Sequence, residues 1–117
     1  MTTRRWLVIA CLASLSACFL FGKETRRLDV APQAPVAVRL GCALAENRCT
    51  RCHTLDRVID ARIDSPAHWQ AYVRRMRLQP QSGISADEEP RIARCLVYRS
   101  FGPTGVAELP ELESRRP

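Results

Sequence analysis

The sequence predicts an all-α fold of three or four short helices, and three observations point to it. Trp69, Tyr72, Val73 and Met76 recur at i, i+3, i+4 and i+7, the spacing of one helical face. Ser65-Pro66 is a helix start, with Ser as N-cap and Pro at the first helical position. Ser85 followed by Glu88 three residues later has the form of a capping box for another helix. No stretch alternates apolar and polar residues strongly enough to compete as a strand, and no internal repeat is visible.

Taken in order, the elements begin with a targeting segment. Arg4 and Arg5 precede an apolar run from Trp6 to Phe21, broken only by Ser14 and Ser16. That is the layout of an export signal, and Cys11 within it reads as filler. Its end, Leu15-Ser16-Ala17-Cys18, resembles a bacterial lipobox. The resemblance implies cleavage before Cys18 and lipid attachment to it, which makes 1–17 a signal peptide. Two other readings stay open: an uncleaved anchor helix over Trp6 to Gly22, and a plain cleaved signal. Each exports the globular part to the periplasmic side of a bacterial membrane or beyond.

Residues 18–38 contain Pro32, Pro35 and scattered charge with no helical stripe, and are expected to form a flexible tether. About twenty flexible residues have a root-mean-square reach on the order of 25 Å. The globular domain is expected over 39–102. A helix begins near Val38, with Leu40, Leu44 and Cys49 joined by Gly41 and Ala45 on a small and apolar face. The helix after Ser65 is closed by Pro80. The helix after Ser85 carries Ile92, Cys95 and Leu96, and ends before Gly102. The stretch 103–117, with its Pro and Glu residues, is expected to be an irregular tail.

With 117 residues and neither end suited to a compact core, the central part is small enough to need a covalent staple. The net charge is +6, and 17 of the 18 basic residues are Arg. Cleavage before Cys18 would leave 16 basic against 12 acidic residues. Seven aromatics give little base-stacking surface, so the charge reads as a solvated surface with a bias toward acidic partners, not as a nucleic-acid footprint.

Cys49-Thr50-Arg51-Cys52-His53 is C-x-x-C-H, the attachment motif for a c-type haem. Two thiols three apart reach the two vinyl groups of one porphyrin edge, and the adjoining imidazole serves as proximal iron ligand. A thioredoxin-like redox pair would need a βαβ context, and a zinc site would need further ligands at tight spacing. Neither is offered.

At these residues the chain resembles the small class I-like monohaem cytochrome c domains. Gly41 lies eight residues before Cys49, where that family often has a Gly at the crossing of its first and last helices. Ile92 to Leu96 follows the closing I-x-x-Y-L pattern with Cys95 at the Tyr place, and Ala45 sits where the family often has Phe. The helix from Trp69 to Met76 is similar to a bacterial subgroup whose axial Met lies about two dozen residues after the haem-binding His. The resemblance spans Val38 to Arg99. It implies a helical bundle around one covalent haem c, with His53 and Met76 as axial ligands. It also implies that Cys95 lies where the last helix touches Cys42. With Cys11 in the export signal and three further cysteines taken by haem and lipid, these two are expected to pair in an oxidising compartment, against the alternative of two buried small hydrophobes.

Other side chains carry a plainer reading beside the functional one. His68 lies off the face of Met76 and reads as a surface residue before an axial ligand. Trp69 and Tyr72 are expected to pack on the haem more than to hydrogen-bond a propionate. Arg57, Arg74, Arg75 and Arg77 are expected to form a solvated face, with docking of an acidic partner or offsetting of the haem propionates as the other readings. Asp87, Glu88 and Glu89 suit a helix start, with no catalysis assigned. No nucleophile, general base or substrate pocket is legible, so no enzyme is expected. The function expected is single-electron transfer between redox partners by a membrane-tethered cytochrome. The alternatives are a haem-based gas or redox sensor, and a haem relay subunit of a respiratory or photosynthetic complex.

Overall fold

The computed structural model describes residues 26–114, with side chains to residue 110. Among the described residues four helices follow one another: α1 (Val36–Cys49), α2 (Asp56–Ile59), α3 (Pro66–Arg77) and α4 (Glu88–Ser114). No strand occurs among the described residues. Both α1 and α3 pack on α4, which makes α4 the central element.

Helix α1 starts at Val36, two residues earlier than expected, with the Pro35 carbonyl accepting from the Val38 and Arg39 amides at 2.9 and 3.1 Å. Its buried face is Val38, Gly41, Cys42 and Ala45, the i, i+3, i+4, i+7 pattern. Leu40, expected on that face, lies two residues from Val38 and is 57% exposed. The small residues at the contact let α4 come close. In α3 the Ser65 hydroxyl accepts from the His68 amide at 3.2 Å, as an N-cap should, and Pro66 occupies the first turn. Trp69 and Val73 turn into the core, while Tyr72 and Met76 stay at its edge, partly exposed. Between α3 and α4 the chain passes through left-handed backbone at Gln81 and Gly83, the latter closely covered by the Arg51 side chain.

Glu88 makes half of the expected capping box. Its carboxylate accepts from the Ser85 amide at 3.0 Å, whereas the Ser85 hydroxyl donates to Asp87 at 2.6 Å. Ile92, Ala93, Cys95, Leu96 and Val97 are all buried, because α4 is covered from two sides.

Two expected boundaries are corrected. Residues 26–35, assigned to the flexible tether, are laid against the domain. Leu28 is 2% exposed and its amide donates to Glu46 at 2.7 Å; Arg26 reaches Asp56 at 3.1 Å and Asp60 at 2.9 Å; Arg99 donates to the Asp29 carbonyl at 3.3 Å. The apolar side chains and the ion pairs offset the entropy of ordering this segment. The tail after Gly102 is helical through Ser114, not irregular. Gly102, at φ 68° and ψ −160°, interrupts α4 in backbone that only glycine enters readily and re-aims the chain. Pro103 then stands in a first turn, where its missing N–H costs nothing. Gly105 lies against Val97 and Phe101, and Leu109 is 5% exposed, so this second run folds back on the core.

Candidate functional site

The end of α1 and the turn after it set out the C-x-x-C-H residues. Thr50 closes the helix, its hydroxyl donating to the Glu46 carbonyl at 2.7 Å. Arg48, immediately before Cys49, holds Glu88 on α4 through a two-pronged contact, Nε to Oε2 at 3.0 Å. The position of Cys49 is thereby fixed against α4. Cys49 is half-buried and Cys52 exposed, and neither is in a disulfide. Burial pushes the Cys49 thiol up to about 11, so the unmodified side chain is a neutral thiol at physiological pH.

His53 contacts the Thr54 carbonyl through Nδ1 at 3.0 Å. A proton on Nδ1 leaves the Nε2 lone pair free, the arrangement a metal-ligating imidazole needs. Beside it opens a cleft of about 790 Å³ lined by Arg26, Glu46, Arg51, Cys52, His53 and Leu55 among others, within the size range of small-molecule and cofactor sites. Two free thiols, an imidazole with one nitrogen free, and this cleft together fit a covalently attached porphyrin.

On α3, Tyr72 lies within electrostatic reach of Cys49. Its phenol is raised first by burial and then by a thiolate at Cys49, with Arg75 and Arg57 opposing. Arg75 stands over the Tyr72 ring, 5.7 Å from its centroid. Met76 follows Tyr72 by one turn of α3 and is partly buried. Trp69 packs edge-on to Tyr72 at 5.4 Å, and its indole N–H donates to the Ser100 hydroxyl at 2.9 Å. That donor is therefore engaged with α4 and is not offered to a propionate. His68 is turned to Asp64, 2.9 Å from Nδ1, at the exposed start of α3. The contact holds the Asp64 carboxyl below its ordinary value. Arg77, expected on a solvated face with Arg74 and Arg75, instead pairs with the buried Glu89. Cys42 and Cys95 are joined by a disulfide with a Cα–Cα distance of 5.0 Å. Cys18 lies outside the described residues.

Several residues that shape this site gave no warning in the sequence. Arg48 and Glu88 are 40 positions apart, and Arg26 is more than 30 residues from Asp60. The acidic pair Glu88–Glu89 was the one available sign, since carboxylates that enter a core must meet cations there.

A small helical domain with two unpaired thiols and a histidine in this order defines a c-type cytochrome. Residues 6–100 match the family described as Photosystem P840 reaction-centre cytochrome c-551, and the chain belongs to that family. It is thus a haem electron-transfer protein that carries covalently bound haem c. No curated protein and no solved structure gives a match.

Proposed function

We propose that this chain is a membrane-tethered monohaem cytochrome on the periplasmic side of a bacterial membrane, carrying single electrons between redox partners. The observation that carries the reading is the state of the cysteines. Cys42 and Cys95 are bonded to each other, while Cys49 and Cys52 stay free, Cys52 lining a cleft together with His53. The haem, when bound, supplies reversible one-electron cycling between Fe(III) and Fe(II). Cys49 and Cys52 would hold it by thioether bonds, and His53 would offer Nε2 to the iron. Met76, the sole Met of a chain cleaved before Cys18, would offer its thioether from α3. Tyr72 would shield the same side from water, and Trp69 would support it from behind. Cys18 would be the lipid attachment point.

Arg57, Arg74 and Arg75 have no carboxylate partner among the described residues and would favour an acidic surface on the redox partner. A second reading is supported by the family's description: a haem relay within a photosynthetic reaction-centre complex.

The test of a carrier is a redox titration combined with spectra of the reduced protein under carbon monoxide. A carrier titrates reversibly as a one-electron couple and leaves its reduced spectrum unchanged by the gas. Ready binding of carbon monoxide would shift the assignment to a gas sensor. Affinity purification from native membranes separates a free carrier from a relay, which would come away with its complex.

A further inference from the structure

We propose that Arg48 and Arg51, which flank Cys49 on its two sides, are positioning residues that brace the connection between α3 and α4 and thereby keep Met76 in place as iron ligand. This rests on the reading above that Cys49 and Cys52 carry the haem and that Met76 is its axial ligand.

The need for a brace follows from the packing. Helices α1 and α3 each lie on α4, and neither packs to a comparable extent on the other. Cys49 ends α1 and Met76 stands near the end of α3, so the attachment residues and the thioether belong to two elements that do not fix each other. Besides α4, the link between them is the connection at 78–87.

That connection is fastened first to the end of α3. The Gln79 amide donates to the Met76 carbonyl at 3.1 Å, and the Ser82 amide to the Gln79 carbonyl at 3.2 Å. The Ser82 hydroxyl donates to the Arg77 carbonyl at 2.9 Å and accepts from the Ile84 amide at 3.3 Å. Ser82 is buried, and Gln81 and Gly83 on either side of it take positive φ, 64° and 66°. The chain is folded tightly back on Met76 and Arg77, and a shift of the connection is passed to them.

The attachment turn holds the same connection from its other end. The Arg51 guanidinium lies on Gly83, where a Cβ would overlap Nη1 and sit 3.1 Å from Cζ. Glycine therefore serves twice here, for the backbone and for the room. Arg48 Nε donates to Glu88 Oε2 at 3.0 Å, and the same oxygen accepts from the Ser85 amide at 3.0 Å. Gly83 and Ser85 are two residues apart, so the two arginines hold one short stretch from the two sides of Cys49. Arg51 is otherwise exposed, and replacing it tests the contact without opening the core. Outer partners that orient a metal ligand are worth about 10–100-fold in ligation.

The test compares the haem-loaded full chain with its Arg51→Ala variant, reading amide hydrogen exchange beside the spectra. In the variant the Ile84 and Ser85 amides should exchange about tenfold faster, and the weak sulfur-to-iron band of the ferric spectrum should fade. Carbon monoxide should bind the reduced iron at least about tenfold faster. Arg48→Gln, which releases Glu88, should weaken the band likewise. Gly83→Ala displaces the guanidinium from the opposite side and should reproduce Arg51→Ala. Arg51→Lys keeps the charge near the cleft but lacks the planar head, so it should also behave as Arg51→Ala. Restoration of native exchange and band by Lys would assign the effect to charge and overturn the brace. A band that survives loss of either arginine, in protein still helical by circular dichroism, would overturn it too, whether or not exchange quickens. A native protein without the band would instead remove Met76 as ligand, and with it the reading on which the proposal rests.

Discussion

The backbone carbonyl of Arg91 on α4 occupies the space that a side chain on Gly41 would fill. A Cβ built there would overlap that oxygen and lie 3.6 Å from the Cys95 Cβ. Since the obstacle is backbone, it cannot rotate away. Gly41 sets the distance at which α1 crosses α4, and Cys42, the next residue, reaches Cys95 across the same contact. Gly41→Ala must push the helices apart or strain them, at a cost of about 1–3 kcal/mol. Chemical denaturation should show the midpoint falling with little change in slope. A neutral effect would mean that the crossing is looser than described.

The Cys42–Cys95 bridge closes a loop over a sequence separation of 53. Constraint of the unfolded chain over such a loop is worth about 4 kcal/mol in the chain-entropy model. The double variant Cys42→Ala, Cys95→Ala should therefore unfold at much lower denaturant while keeping its haem absorbance, because the proposed attachment residues, Cys49 and Cys52, are elsewhere. Loss of haem in that variant would show that the bridge is needed to shape the cleft.

Much of the helical scaffold was legible because local rules and tertiary packing agree. Ser65 caps α3 as its sequence position implies, and Gly102, at φ 68° and ψ −160°, interrupts α4 where a helix end is expected. What was illegible has non-local causes. Helix α2 has four residues, too few for periodicity to register. Of the expected face, Gly41 and Ala45 are buried and Leu44 and Cys49 pack against the core, but Leu40 is exposed and Cys42 takes its place, because the contact with α4 favours smaller residues. The segment at 26–35 reads as a linker by composition, and only the distant Asp56, Asp60 and Glu46 reveal its seat. In the site, C-x-x-C-H was plain because its geometry is local. The Arg48–Glu88 support was not, because nothing in either residue's neighbourhood announces the other.

That support makes the fold sensitive to acid. The Glu88 carboxyl is held down at about 2, from an ordinary 4.5, by the Arg48 guanidinium first and the Ser85 amide next. A depressed carboxyl contributes stability that is fully present above its unfolded value and lost as pH falls toward the folded one. Thermal unfolding should therefore show the native chain losing stability between about pH 5 and pH 2. Glu88→Gln keeps the shape but cannot ionise, so it should be less stable at neutral pH and flatter across that window. Parallel profiles for the two proteins would assign the acid sensitivity to other carboxylates.

Met76 is the residue on which the proposed redox chemistry turns. It stands one turn beyond Tyr72 on α3, at the edge of the core and not within it. A methionine serving only to fill the core would be expected at the depth of Trp69 or Val73, which are 3% and 2% exposed. His68, the rival ligand, is turned to Asp64. Met76→Ala should abolish the weak sulfur-to-iron band at the red end of the ferric spectrum. It should also lower the potential by on the order of 100 mV, since axial ligands set haem potentials across about 0.8 V. The vacated position should let carbon monoxide bind the reduced iron. An unaltered ferric spectrum and potential would return Met76 to a packing role, and His68→Ala would then be the variant to compare.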